Sequence, residues 1–97
     1  MTSVDDLGEE QFRRAQGLAL DMYRRKDPQY GSAWKRSLET WGRDFIGMRL
    51  QEDVSKFVSL IKMGLADREV LLDVLVDIQV YAIFGVMYLD AQPADGT

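Results

Sequence analysis

Apolar positions recur along this chain with the period of a helix, in three long runs. In the first, Phe12, Ala15, Ala19, Met22 and Tyr23 follow one another at steps of three and four, with Glu9, Glu10, Arg13, Arg14 and Asp21 between them. The spacing predicts a helix over 5–26, capped by Asp5 or Asp6, with Glu9 and Glu10 at the positive end of its dipole. Pro28 disfavours helical geometry at Asp27 and is expected to close the element near Lys26, leaving DPQYG as a loop. The segment SAWKRSLETWG predicts a short helical turn, with Ser37 as a capping candidate, and a bend at Gly42.

The second run, 43–63, is the most regular. At about 100° per residue, Ile46, Leu50, Val54, Phe57, Val58 and Ile61 share one face, and Arg49, Glu52, Asp53 and Lys56 lie opposite. Lys62 stands in the last turn and Gly64 supplies a left-handed stop. Asp67 is placed to cap a third helix, 68–89, which is apolar on nearly every side and interrupted mainly by Asp73, Asp77 and Gln79. That run is long enough to span a bilayer. Two central aspartates, at roughly 2.5–3.5 kcal/mol each, and a single basic flank at Arg68 favour a buried central helix over a membrane span.

The fold class expected is therefore all-α: three principal helices in one domain over 1–90, with 91–97 as a disordered tail. Three helices do not easily surround one that is apolar all round, so self-association, most simply as a dimer, is expected to complete the bundle.

Composition narrows the chemistry. The 97 residues include no Cys and no His, which removes disulfides, thiolate zinc sites and any histidine general base or triad. Carboxylates with a hard cation, and Lys or Arg for anions, remain. The acidic start MTSVDDLGEE lacks the character of a signal peptide, so the expected location is the cytoplasm. The net charge of -4 is unevenly spread, with the basic groups Arg24, Arg25, Lys26, Lys35 and Arg36 close together and no basic residue after Arg68. So small a basic patch in an acidic domain argues against nucleic-acid binding.

Two constellations remain. Asp73, Asp77 and Tyr81 follow at four-residue steps on the most apolar helix, where carboxylates need a cation or a partner. Magnesium held by such carboxylates and phosphate oxygens is one solution, and pairing with Arg49, Lys56 or Arg24 is the other. Arg49, Glu52, Asp53 and Lys56 form a second polar stripe that mutual ion pairing on a solvated face would explain. The basic cluster brackets Tyr30, Gly31 and Trp34, an aromatic able to stack on a base beside cations able to hold phosphate; the two rings could equally roof the core.

Three segments taken together, YGSAWKR at 30–36, MRLQEDVSKF at 48–57 and EVLLDVLVDIQVYAIFGV at 69–86, resemble the nucleotide-modification-associated domain family, type one. These small helical proteins, common in bacteriophages, are usually placed near the MazG-like all-α nucleoside triphosphate pyrophosphohydrolases. The likeness covers about residues 20–90. It implies a magnesium site drawn from Asp73, Asp77, Glu52 and Asp53, and nucleotide contacts from Tyr30, Trp34, Lys35, Arg36, Arg49, Lys56 and Tyr81, in the host cytoplasm if the chain is phage-encoded. In the enzymes a glutamate pair on an earlier helix completes the metal set. Here Glu52 and Asp53 stand side by side with Lys56 where another carboxylate is expected, an incomplete set that favours nucleotide binding over hydrolysis. The alternative is a non-catalytic interaction module or oligomeric scaffold, using the apolar last helix to bury a partner or a second copy.

Overall fold

The computed structural model describes residues 3–30, 33–64 and 66–93, and the side chains of 27–30 lie outside that description. After a 3-10 turn at Val4–Asp6 come α1 (Glu9–Tyr30), α2 (Ala33–Trp41), α3 (Arg43–Met63) and α4 (Arg68–Asp90), with no strand among the described residues. The all-α class holds, and α3 and α4 fall where the apolar period places them.

The ends of α1 differ from expectation. Asp6 turns back to accept from the Ser3 hydroxyl at 3.2 Å, so the two aspartates serve the preceding turn, and Gln11 Oε1 accepts from the Gly8 N–H at 2.9 Å at the true helix start. At the other end α1 runs through Pro28 to Tyr30 instead of closing near Lys26. A proline in the last turn forfeits one hydrogen bond, to the carbonyl four residues back, and a long helix tolerates that loss. Residues 27–30 of the loop expected at DPQYG are therefore helical, and Gly31 lies outside the described residues. Ser37 sits in the interior of α2 and caps nothing. The bend at Gly42 is present, at φ 58° and ψ -135°, a conformation open to glycine and strained for other residues. Gly64 ends α3 in the left-handed region at φ 64°, and Asp67 caps α4 by accepting from the Val70 N–H at 3.0 Å. Of the expected tail, 91–93 is described and 94–97 is not.

Helix α4 is the middle of the molecule. Both α1 and α3 pack on it, and neither makes a comparable contact with the other. The α1 side of α4 is marked by Gln79, whose amide donates to the Ala15 carbonyl at 3.1 Å, and by the buried cluster of Ala19 and Met22 with Val76, Val80 and Phe84. The α3 side is marked by Gly85, where an added Cβ would lie 3.1 Å from Ile46 Cγ2. Helix α2 packs on α3 and reaches one of the two remaining sides of α4 through Trp34, which stacks on Phe84. The last side is uncovered.

The roll of α3 is the main departure from the periodicity. Ile46 seats over the bare backbone of Gly85, and that contact turns α3 so that Arg49 and Asp53 are half-buried with Ile46, Leu50 and Phe57. Val54, Val58 and Ile61, expected on the buried face, are exposed; of the polar stripe expected in solvent, Arg49 and Asp53 are drawn inward while Glu52 and Lys56 stay exposed. Residues Arg68–Asp90 are long and apolar enough to cross a membrane by length and composition, a property that a central helix of a bundle shares.

Candidate functional site

All four helices contribute to one cleft of about 380 Å³, on the side of α4 that α2 covers. Helix α1 supplies Met22, Tyr23 and Lys26, α2 supplies Ala33, Trp34 and Ser37, α3 supplies Phe45 and Arg49, and α4 supplies Asp77, Val80, Tyr81 and Phe84. The α4 members follow from spacing, since 77, 81 and 84 share one face.

Aromatic rings line the cleft. Trp34 and Phe84 stack with centroids 4.0 Å apart and planes 6° from parallel. Tyr81 meets Phe84 edge-on at 5.6 Å and Phe45 at 6.0 Å, and Tyr23 meets Phe84 edge-on at 6.0 Å. Each ring restrains its neighbour, so the wall is held in place before any ligand arrives.

Charge is gathered at one edge. Lys26 Nζ lies 3.2 Å from Asp77 Oδ1, and the Arg49 guanidinium sits 4.5 Å from the centre of the Tyr81 ring. Arg49 also reaches Glu52 at 3.4 Å, yet its Nε is buried with no hydrogen-bond partner. Asp53 Oδ2, one turn along α3, is buried and unpartnered too. Burial pushes the Asp53 carboxyl above the usual carboxylate range; Arg49 and Lys56 pull it down, and Asp77 and Glu52 push it up. Asp53 and Asp77 therefore feel each other across the α3–α4 contact. A buried donor and a buried acceptor one turn apart beside the cleft are polar groups that an ordered water or a small shift of Arg49 toward Asp53 would satisfy.

Of the residues proposed for a nucleotide, Trp34, Arg49 and Tyr81 line the cleft, and Lys56 stands within electrostatic reach of Asp53. Lys35 lies over the Trp34 ring at 5.5 Å, and Arg36 is exposed on α2 outside the cleft wall. The side chain of Tyr30 falls outside the described residues. Of the residues proposed for a metal, Asp77 lines the cleft with Asp53 close by, whereas Asp73 and Glu52 are exposed and outside it. No group of three acidic side chains converges among the described residues.

Asp77 pairs with Lys26, and none of Arg49, Lys56 or Arg24 is its salt-bridge partner. Sequence reasoning also left Tyr23, Phe45 and Phe84 out of the site. A signal existed: Tyr23 and Lys26 are three apart on α1, and Phe45 and Arg49 four apart on α3, so each aromatic shares a face with a cleft cation.

Comparison with protein-family models, with characterised proteins and with solved structures gives no match to this chain, so the chemistry of the cleft is read from its own geometry.

Proposed function

We propose that the protein binds a nucleotide or deoxynucleotide in this cleft, with the base against the aromatic wall and a phosphate at Lys26 and Arg49. The observation that carries the proposal is the Arg49 guanidinium, held over Tyr81 in the lining of a cleft it shares with Lys26. Planar guanidinium suits phosphate oxygens, and the cleft falls within the range of about 300–1,000 Å³ usual for small-molecule sites. The likeness of three segments to the nucleotide-modification-associated family points the same way.

Magnesium fits these groups poorly. Its site would have to be built on Asp77 and Asp53, but Lys26 already holds Asp77, and Asp53 is biased toward its neutral acid by burial. Binding is therefore assigned to the cations alone. In that account Asp77 competes with phosphate for Lys26.

Calorimetric titration with nucleoside, monophosphate, diphosphate and triphosphate, each with and without magnesium, tests this. Phosphorylated forms are expected to saturate the protein and the bare nucleoside to bind far less well. Arg49→Met is expected to weaken binding about tenfold or more, since hydrogen bonds to charged groups contribute about 1.5–3 kcal/mol. Asp77→Asn is expected to keep or tighten binding by releasing Lys26. If Asp77→Asn instead abolishes binding, and only when magnesium is present, Asp77 is a metal ligand. Pyrophosphate release measured in the same samples tests the hydrolase reading that the family likeness implies. No heat with any nucleotide from folded protein removes the proposal.

A second part of the reading, self-association as an interaction module, is favoured by the uncovered side of α4.

A further inference from the structure

Opposite the cleft, α3 and α4 present an apolar surface that no other described residue covers. On α4, at about 100° per residue, Leu75, Ala82 and Val86 point away from α1, α3 and α2 alike, and Val86 is 67% exposed. On α3, Val54, Val58 and Ile61 turn to the same side, with Ile61 55% exposed. The two rows adjoin because α3 and α4 form an antiparallel hairpin and both rows lie on the side of it away from Arg49 and Asp77.

We propose that this surface is the seam of a homodimer, each copy laying its α3–α4 hairpin on that of the other. The inference deepens the self-association part of the functional reading and is independent of the nucleotide part.

Area supports it first. The chain exposes 7680 Å², whereas a compact monomer of 11.1 kDa is expected to expose about 5,700 Å². That excess of about 2,000 Å², to which the α3–α4 surface contributes, leaves room for the roughly 800 Å² per partner that a standard stable interface removes. The radius of gyration of 15.5 Å likewise exceeds the roughly 12.5 Å of a compact chain of this length.

Charge supports the second copy as occupant. Across a two-fold axis each residue near the axis meets its own counterpart, so like charges there would repel. The α4 row has no charged member between Arg68 and Asp90, and the α3 row is aliphatic. The cleft side, with Lys26, Arg49, Asp53 and Asp77, lacks that property. A lipid surface is the poorer occupant, because Asp90 borders the α4 row and the chain is acidic overall, which anionic headgroups disfavour.

The absence of cysteine permits a direct test on the full chain. Sedimentation from micromolar concentration upward is expected to give twice 11.1 kDa. Ala82→Cys is expected to cross-link through a short bismaleimide to a covalent dimer under conditions where Glu39→Cys, on the exposed side of α2, does not. Val86→Glu is expected to abolish the dimer, and because Val86 has little packing to lose within one copy, a loss of helix together with the dimer counts in favour. A wild-type chain that sediments only at 11.1 kDa overturns the proposal, and if that monomer floats with neutral phosphatidylcholine vesicles the surface belongs to lipid instead. Equal cross-linking at Glu39→Cys also overturns it. Calorimetry on the same wild-type sample reports nucleotide binding separately, so failure of either claim leaves the other measurable.

Discussion

At the scale of single residues, Asp53 and Asp77 divide two tasks that their spacing alone does not separate. Asp77 is partnered by Lys26 at 3.2 Å, with the two side chains 32% and 47% exposed, and a pair that wet is worth about 0–1 kcal/mol. Asp77→Asn is accordingly expected to lower stability by less than about 1 kcal/mol in denaturant melts, far from the loss that follows when a fully buried cation is stranded. Asp53 is the costly one. Its carboxyl is raised, chiefly by burial, above the ordinary value of 3.8, so the folded state favours the neutral acid. The stability this group contributes is full below 3.8 and is lost as pH rises through the raised value, leaving a cost at neutrality. Asp53→Asn is therefore expected to melt above wild type at pH 7, with the difference closing as the pH falls toward 3.8. A variant that melts lower at pH 7 would mean that the carboxylate pairs with Arg49 more strongly than burial opposes it.

At the scale of elements, Gly85 and Gly17 both sit in helix interiors but differ in what surrounds them. Gly85 admits Ile46, and an added Cβ would stand 3.1 Å from a β-branched methyl that cannot easily rotate away. Gly17, in α1, has nothing within 4 Å of such a Cβ. Gly17→Ala is expected to stabilise by about 0.5–1 kcal/mol through helix propensity, and Gly85→Ala to destabilise despite the same gain, as compared by chemical denaturation. Helix boundaries set by caps and stops, such as Asp67 and Gly64, were legible in the sequence because their chemistry is local. The end of α1 was not, since Pro28 disfavours continuation without forbidding it in a last turn. Part of the roll of α3 was legible, since at about 100° per residue Asp53 falls only about 20° from Ile46; the rest was not, for another reason. Its apolar face is wider than one contact, and the glycine that selects Ile46 within that face is some forty residues away on another helix.

At the scale of the whole molecule, α4 is apolar on nearly every side, interrupted by Asp73, Asp77 and Gln79, but periodicity does not say which neighbour takes which side. The structure gives one side each to α1 and α3, one to the aromatic cleft under α2, and none to the fourth. Only seven apolar side chains are buried among the described residues, a thin core for which docking a second copy would add stability. The melting temperature is accordingly expected to rise with protein concentration, and a temperature independent of concentration would count against the seam. Part of the cleft was legible: Asp77 and Tyr81 share a face of α4 as their four-residue spacing implied, while Trp34, Arg49, Tyr23 and Phe45, from other helices, join them only through tertiary packing.

The claim that this cleft receives a nucleotide has a direct reporter in Trp34, which lies in its wall, whereas Trp41 is 64% exposed and outside it. In Trp41→Phe the remaining tryptophan emission comes from the cleft alone. Titration with deoxynucleotides is expected to change that emission saturably, and the change is expected to weaken when Arg49→Met is added. Emission that stays constant to millimolar nucleotide, in protein whose circular dichroism remains helical, would contradict the account.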